Sequence, residues 1–189
     1  MARQKKYIEE EVIEKAMQLF WRNGYECTSV RMLEKEMGIN QFSMYASFGN
    51  KEGVFLESIK FYKKKAGLIL IEKLNKAPKK LSSIEQYFRD FLEFSRDINN
   101  ENNGCLLTNT INELGDNTDS KIKEEILIFV NRVKASFIEV LKHNSNQSEK
   151  TIMQKANYLM IALQGLSIAS KMFNKEELDD FITRTFVNM

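Results

Sequence analysis

Apolar residues between positions 28 and 51 recur at the spacing of two short α-helices separated by a polar corner. Val30, Leu33 and Met37 lie three or four residues apart, which predicts a helix with one apolar face. Gly38 can end this helix, because a residue without a Cβ atom adopts a left-handed backbone at little cost. The pattern therefore predicts a helix of about two turns that begins near position 29 and stops at a sharp corner.

A second short helix follows, which the side chain of Asn40 can cap and Gly49 can end. Met44 and Phe48 share one face of this helix, and we expect that face to pack on the first helix. The outward face and its flanks carry Gln41, Phe42, Ser43, Tyr45 and Ala46. Two helices joined by a glycine-containing turn are the layout of the helix-turn-helix, whose second helix enters the major groove of DNA.

The outward face of the second helix carries groups that can read DNA. A glutamine can form two hydrogen bonds with adenine, and an apolar side chain can contact the methyl group of thymine. We predict that the groove-facing side chains are Gln41, Phe42, Ser43 and Ala46. We expect phosphate contacts, which position a protein without reading sequence, from Thr28, Ser29, Tyr45 and Lys51. Arg31 can take either role, and Thr28 or Ser29 can also cap the first helix.

The rest of the chain is predicted to be helical nearly throughout, because it contains one proline and eight glycines in all. Apolar periodicity predicts seven further helices: over residues 7–23, 51–74, 104–114 and 148–173, and from capping residues near Ser82, Thr118 or Asp119, and Asn174. Glu85 and Glu177 complete capping boxes with Ser82 and Asn174. In the fourth helix, Leu68, Ile71 and Leu74 are expected to face inward. The predicted fold class is all-α.

The residues from Val12 to Ile59 resemble the DNA-binding domain of TetR-family transcriptional regulators. The matching residues are Ala16, Leu19, Phe20, Gly24, Tyr25, Thr28, Ser29, Val30, Gly38, Ile39, Tyr45, Phe48, Gly49 and Lys51. A second segment, Gly104–Gly115, resembles part of the regulatory domain in one branch of that family. The resemblance implies a nine-helix TetR-like architecture with a helix-turn-helix DNA-binding domain (residues 1–49) and a helical ligand-binding and dimerisation domain (residues 50–189).

The last two long helices resemble the dimer-forming pair of that family. The eighth helix is apolar on several sides, so that it must be covered on both faces, and Gly165 would let a neighbouring helix approach closely. We predict a homodimer interface that contains Leu159, Met160, Leu163, Gly165, Leu166 and Phe181. A buried core helix of a monomer explains the same pattern and remains an alternative.

Aromatic residues are abundant in the predicted regulatory half, where together they can line a cavity for an apolar or aromatic small molecule. Each of them alone is more typical of a core residue. The predicted ligand contacts are Phe61, Phe88, Phe91, Cys105, Asn109, Glu113 and Phe129. Cys105 also lies at the start of a helix, where the helix dipole favours a thiolate, although most free cysteines are small buried hydrophobes.

The net charge of +2 is small, but positive charge is concentrated toward the N-terminus. Residues 1–80 contain 16 Lys and Arg against 10 Asp and Glu, whereas residues 81–189 contain 12 against 16. Such a distribution would orient the basic half toward phosphate, although it also fits ordinary solvated helix faces. Arg3, Lys5 and Lys6 form a short basic arm, which either frays or contacts phosphate or the minor groove.

No pattern typical of an enzyme, a metal site or a membrane protein is present in the sequence. His143 is the only histidine, and there is no glycine-rich phosphate loop or nucleophile elbow. Apolar runs such as Ala66–Ile71 and Tyr158–Leu163 are far shorter than the ~18–20 residues that cross a bilayer. Cys27 and Cys105 form no disulfide or metal pattern, which favours a reducing cytoplasm. We therefore expect no cofactor, no metal and no membrane partner.

The combined interpretation is a cytoplasmic, ligand-responsive transcriptional regulator that is not an enzyme. We expect a homodimer that binds a palindromic operator in double-stranded DNA, as a repressor that a small-molecule inducer releases. Two alternatives remain open. One is a thiol-based redox or electrophile sensor that acts through Cys105 on the same scaffold, and the other is a helical protein–protein interaction module.

Overall fold

The computed structural model of the chain describes residues 7–96, 103–117, 119–144, 147–187 and 189. Within these residues the fold is all-α with nine helices, as predicted. The helices are α1 (Glu9–Asn23), α2 (Val30–Met37), α3 (Gln41–Phe48), α4 (Lys51–Ala66), α5 (Leu81–Phe94), α6 (Leu106–Leu114), α7 (Ser120–Asn144), α8 (Glu149–Ala169) and α9 (Lys175–Val187). Helix α4 continues without a break through a π-helical turn (Gly67–Ile71) and a last α-helical turn (Glu72–Lys76). The predicted basic arm of Arg3, Lys5 and Lys6 lies outside the described residues.

One of the two predicted capping boxes is present. The amide of Asn174 donates to the Glu177 carboxylate at 2.9 Å, and the amide of Glu177 donates to the Asn174 side chain at 3.1 Å. The box predicted at Ser82 is wrong, because α5 already begins at Leu81 and Ser82 lies inside it. Its proposed partner Glu85 instead forms an ion pair with Arg89 at 2.9 Å.

Aromatic contacts join the first helix to the rest of the core. The ring of Phe20 in α1 packs against Phe55 in α4 with centroids 4.7 Å apart. The neighbouring Trp21 meets the ring of Tyr62 edge-on at 5.2 Å, and its indole N–H donates to the carbonyl oxygen of Gly104 at 3.2 Å. Helix α1 is therefore fixed both to α4 and to the segment that leads into α6.

The π-helical turn changes which apolar side chains of the fourth helix face the core. Ile71 and Leu74 are buried as predicted, but Leu68 is 54 % exposed. A π-helix holds more residues per turn than an α-helix, so that the residues within and after it leave the α-helical register. In consequence Leu70 and not Leu68 is buried.

Helix α8 buries most of the residues that were predicted to contact a second subunit. These residues are Leu159, Met160, Leu163 and Leu166. Leu159 and Leu166 have no exposed surface, and all four belong to the continuous core of the protomer. Their assignment to a dimer interface is therefore wrong, because they already pack on helices of the same chain. Gly165 is exposed, and Phe181 in α9 is 40 % exposed.

Candidate DNA interface and regulatory cavity

Hydrogen bonds from capping residues fix the corner between α2 and α3. The hydroxyl of Ser29 accepts a hydrogen bond from the Met32 amide at 3.2 Å, and the side chain of Asn40 accepts one from the Ser43 amide at 2.9 Å. Gly38 ends α2 with a φ angle of 71°, which is in the left-handed region. The two helices form the helix-turn-helix that the sequence predicts.

One face of α3 packs on the protein, and the opposite face lies in solvent. Met44 has no exposed surface, whereas Phe42 is 83 % exposed. Of the remaining residues on the outward face and its flanks, Gln41 and Ala46 are exposed and Ser43 and Tyr45 are half-buried. A phenylalanine with so much exposed surface contributes little to packing within the protomer, and such apolar exposure is typical of an interaction site when it adjoins polar neighbours.

Contacts from Tyr7, just ahead of α1, and from the first turn of α4 hold α3 in place, and the apolar pattern of the sequence does not indicate them. The hydroxyl of Tyr7 donates to the carbonyl oxygen of Ser43 at 3.0 Å and lies 2.8 Å from the hydroxyl of Ser47. In the first turn of α4, a Cβ atom at Gly53 would lie 1.8 Å from the carbonyl oxygen of Phe48. Glycine is therefore required at position 53 for the end of α3 to approach α4. A single glycine in a helical stretch does not reveal this requirement in the sequence.

Thr28 is not available to DNA, so the phosphate contact predicted for it is wrong. Its side chain is fully buried, and its hydroxyl donates to the carbonyl oxygen of Gly24 at 2.6 Å. Its amide donates to the carbonyl oxygen of Tyr25 at 3.2 Å. Thr28 thus closes the turn between α1 and α2, while Ser29 and Arg31 remain exposed.

Lys51 lies in the first turn of α4, next to the end of α3. Its ammonium group is 4.2 Å from the centre of the Tyr25 ring, a geometry in which the negative face of the ring attracts the cation. Burial raises the pKa of the Tyr25 hydroxyl above its ordinary value, so that the phenol stays neutral near pH 7. The ring therefore supports Lys51 at the N-terminus of a helix, a position that itself attracts anions.

We predict that replacing Lys51 with alanine weakens binding to every DNA sequence. The loss of one phosphate contact should reduce the slope of log affinity against log salt concentration by ~1. Fluorescence anisotropy with labelled duplexes over a series of salt concentrations measures this slope. Lys150→Ala, which removes an exposed lysine at the start of α8, is the matched control. An unchanged slope in the Lys51 variant would mean that this side chain does not contact phosphate.

A cavity of about 550 Å³ lies between α4 and helices α5 to α8. Its wall is mainly apolar, with a small polar group in which the Thr108 hydroxyl donates to the Gln164 side chain at 2.5 Å. Ile111, Leu127 and Ile168 also line it and are 41 %, 60 % and 47 % exposed, so the cavity opens to solvent between α6, α7 and α8. This size and lining are typical of small-molecule sites.

Three of the predicted ligand contacts line the cavity: Phe91, Cys105 and Phe129. Phe61 does not reach it, and Phe88 packs in the core, where its ring meets Phe137 at 6.2 Å and Phe186 at 5.3 Å. The assignment of Phe61 and Phe88 to the ligand site is therefore wrong. Their helical spacing indicates an apolar face but does not distinguish a core contact from a cavity contact.

Asn109 and Glu113 lie on the side of α6 that faces away from the cavity, so their assignment as ligand contacts is also wrong. Asn109 donates to the carbonyl oxygen of Asn103 at 2.8 Å and accepts from the ammonium of Lys171 at 2.8 Å. Glu113 accepts hydrogen bonds from the segment that follows α1. The cavity is lined by the other side of α6, through Leu107, Thr108, Ile111 and Asn112.

Two buried tyrosines also line the cavity: Tyr62, which is one of the aromatic residues that the sequence offers for it, and Tyr87, which was not predicted there. Burial raises the pKa of both hydroxyls, so they remain neutral hydrogen-bonding groups at physiological pH. Burial also lowers the pKa of Lys171, the lysine bound to Asn109. Apolar periodicity does not mark Tyr87 as a cavity residue, because buried aromatic residues of core and cavity share the same spacing.

The described helices are all too short or too polar to cross a membrane. No group of three or more His, Cys, Asp or Glu side chains in the described ranges could hold a metal ion.

Residues 12–58 match the family of bacterial regulatory proteins called the tetR family. The helix-turn-helix transcriptional repressor ComR of Escherichia coli is 43 % identical over 53 residues, which cover 28 % of this chain and 25 % of ComR. The uncharacterised regulator YezE of Bacillus subtilis is 31 % identical over 93 residues, or 49 % of this chain and 46 % of YezE. The chain thus matches about a quarter to about a half of the length of these curated relatives.

The fold as a whole is that of the same group of regulators. The TetR-family regulator CifR, in the form of a cysteine mutant bound to 26-base-pair operator DNA, superposes with a TM-score of 0.81 over 98 % of both chains at 22 % identity. The comparison shows an all-α TetR fold with an N-terminal helix-turn-helix. Within the chain, the segment that is similar in sequence to the tetR family is the helix-turn-helix region, residues 12–58.

Proposed function

We propose that this protein is a homodimeric repressor that binds a palindromic operator through α3 and is released by a small apolar or aromatic inducer. The observation that carries the proposal is the outward face of α3, where Phe42 is 83 % exposed beside the exposed Gln41 and the half-buried Ser43 and Tyr45. A helix of eight residues with a buried inner face and such an outer face is suited to the major groove. The operator complex of the similarly folded CifR supports DNA as the partner.

A dimer is part of the proposal because one short recognition helix reads too few base pairs for a specific site, whereas a two-fold dimer reads two half-sites. Helix α8 offers a surface for it. Tyr158, Ile161 and Ile168 are 52 %, 73 % and 47 % exposed and recur with Gly165 at spacings of three and four residues. We call these four residues the α8 stripe. Phe181 of α9 is the fifth exposed residue that we assign to the interface.

The inducer is proposed to act by preferring one shape of the dimer. A ligand shifts a conformational equilibrium only as far as its affinities for the two states differ. If the cavity binds its ligand more tightly when the two recognition helices are misspaced for DNA, ligand and operator must weaken each other. The apolar wall of the cavity and its few polar groups favour an apolar or aromatic molecule over a highly charged one.

A gel-shift experiment with the DNA upstream of the protein's own gene tests this function. We expect a retarded complex that weakens as salt concentration rises and that a scrambled duplex of equal length forms much more weakly. Repeating the titration with candidate apolar ligands identifies an inducer by its release of the complex. Equal binding to both duplexes would contradict operator recognition. Failure to bind either one would favour a protein–protein interaction module.

A second candidate function is supported by the position of Cys105. This cysteine lines the cavity, and its amide donates to the hydroxyl of Ser167 at 2.9 Å. An electrophile with a conjugated carbonyl could enter the cavity, where the Cys105 thiolate would form a sulfur–carbon bond and the adjacent carbon would take a proton from water. The protein would then be a thiol-based electrophile or redox sensor on the same scaffold.

We predict that Cys105→Ser leaves operator binding unchanged but removes the response to a conjugated electrophile such as N-ethylmaleimide. The serine hydroxyl occupies a similar volume but is a far weaker nucleophile. Gel shifts before and after treatment, with mass spectrometry of the protein, measure response and modification together. Cys27→Ser is the matched control, since Cys27 is exposed and does not line the cavity. Release of DNA by the electrophile in the Cys105 variant would exclude this candidate.

A further inference from the structure

Helix α6 contacts the cavity with one side and the DNA-binding helices with the other. Its cavity side consists of Leu107, Thr108, Ile111 and Asn112. Near its C-terminal end, Glu113 points toward the segment that joins α1 to α2. Before its N-terminal end, the carbonyl oxygen of Gly104 accepts a hydrogen bond from the indole N–H of Trp21. Both ends of α6 are thus tied to the last turn of α1 and the residues after it.

The Glu113 carboxylate binds two successive backbone amides. Tyr25 donates to one carboxylate oxygen at 2.9 Å, and Glu26 donates to the other at 2.8 Å. A charged acceptor makes such hydrogen bonds shorter and stronger than neutral ones. The approach is so close that a Cβ atom at Gly24 would lie 2.8 Å from both oxygens, and Gly24 has a φ angle of +79°. Only glycine satisfies both requirements at that position.

One of these two amides belongs to Tyr25, the residue whose ring supports Lys51. The backbone of Tyr25 is held by Glu113, while its ring lies 4.2 Å from the Lys51 ammonium. The Tyr25 ring is also held by two other rings, because its centroid lies 4.8 Å from that of Phe55 and 6.0 Å from that of Phe20. A displacement of Glu113 therefore moves the backbone of Tyr25 against a packed ring, and Lys51 loses its support.

We propose that Glu113 is a positioning residue for DNA binding, which acts through Tyr25 on Lys51 and makes that contact depend on the state of the cavity. The inference deepens the proposed function and rests on it. Glu113 itself does not touch DNA or ligand in this scheme. Because α6 presents Ile111 and Asn112 to the cavity and Glu113 to Tyr25, a ligand that shifts the helix shifts the carboxylate with it.

The direction in which one substitution changes DNA affinity distinguishes this role from a simple effect of charge. Glu113→Gln removes a negative charge, and on charge alone a less negative protein binds DNA more tightly. The positioning role predicts the opposite, an affinity about tenfold lower, because an amide oxygen cannot replace the paired hydrogen bonds of the carboxylate. Glu124→Gln, at an exposed position on α7, makes the same charge change away from the loop and is the matched control.

A double-substitution experiment tests whether Glu113 acts through Lys51. Affinity and its salt dependence are measured by anisotropy for the wild type, Glu113→Gln, Lys51→Ala and the combination of both. We expect Glu113→Gln to reduce the salt slope by about one unit, as Lys51→Ala does, and to have little further effect once Lys51 is absent. Tyr25→Leu removes the ring and leaves the backbone contact with Glu113, so it should reduce the salt slope in the same way. This variant replaces Glu113→Gln in the test if Glu113→Gln destabilises the fold.

The outcomes of these measurements distinguish a failure of the positioning role from a failure of the proposed function. Tighter or unchanged binding by Glu113→Gln, additive losses with Lys51→Ala, or a lowered melting temperature with an unchanged salt slope would overturn the positioning role. If the wild type itself shows no salt-dependent DNA binding, the proposed function fails instead. Hydrogen exchange provides a further readout, since the amides of Tyr25 and Glu26 should exchange faster in Glu113→Gln and as slowly as wild type in Glu124→Gln.

Discussion

Replacing Ile161 with glutamate is expected to separate the subunits and to abolish tight operator binding. Ile161 is 73 % exposed in the protomer and lies in the middle of the α8 stripe. In a two-fold interface one substitution introduces two carboxylates, and each uncompensated buried charge costs about 3–5 kcal/mol. Sedimentation or light scattering should therefore report a monomer. Operator affinity should fall at least about 100-fold, which is the factor that the lower of these two free energies corresponds to.

The control for this variant places the same charge on another exposed apolar position. Leu68, in the π-helical turn, is 54 % exposed and lies outside α8 and α9. Leu68→Glu should remain a dimer with wild-type operator affinity. A wild-type protein that is monomeric at micromolar concentration, or an Ile161→Glu variant that still forms a dimer, would show that the α8 stripe is not the interface.

Replacing Phe42 with alanine is expected to reduce specific DNA binding by ~1–3 kcal/mol and to leave non-specific binding almost unchanged. The reason is that an apolar ring on the groove-facing side of α3 can contact the methyl group of thymine, whereas it contributes no charge to phosphate binding. At 83 % exposure the ring has little packing to lose within the protomer, so stability should not change.

Competition between operator and scrambled duplexes measures this difference directly. Leu68→Ala, which also truncates an exposed apolar side chain, should change neither affinity. The salt slope of the Phe42 variant should equal that of the wild type, in contrast to the Lys51 variant. If both duplexes lose the same affinity, Phe42 does not read bases.

The helix-turn-helix could be predicted from the sequence because its determinants are local. Ser29 and Asn40 cap helices within three residues, and Gly38 takes the left-handed backbone that the corner requires. The alternation between buried Met44 and exposed Phe42 follows from helical period alone. The burial of Thr28 could not be predicted in this way, since its partner Gly24 lies in a turn with no periodic pattern.

The cavity could be predicted only in part, because long-range packing decides which side of a helix faces inward. Cys105, Asn109 and Glu113 share a four-residue spacing, but only the first lines the cavity. The partners of Glu113 are 87 and 88 residues away in the chain, beyond any local pattern. In α8, which is apolar on several sides, spacing could not distinguish Leu159 in the core from Ile161 in solvent.

The π-helical turn of five residues rotates the side chains that follow it, relative to those before it, away from the positions that a continuous α-helix would give them. Val54, Phe55 and Ile59 are buried ahead of the turn, and Leu74 is buried beyond it. Because the turn absorbs this rotation, a change of packing around Leu74 need not rotate Val54 or its neighbours. The two ends of this helix can therefore accept changes in their packing independently of each other.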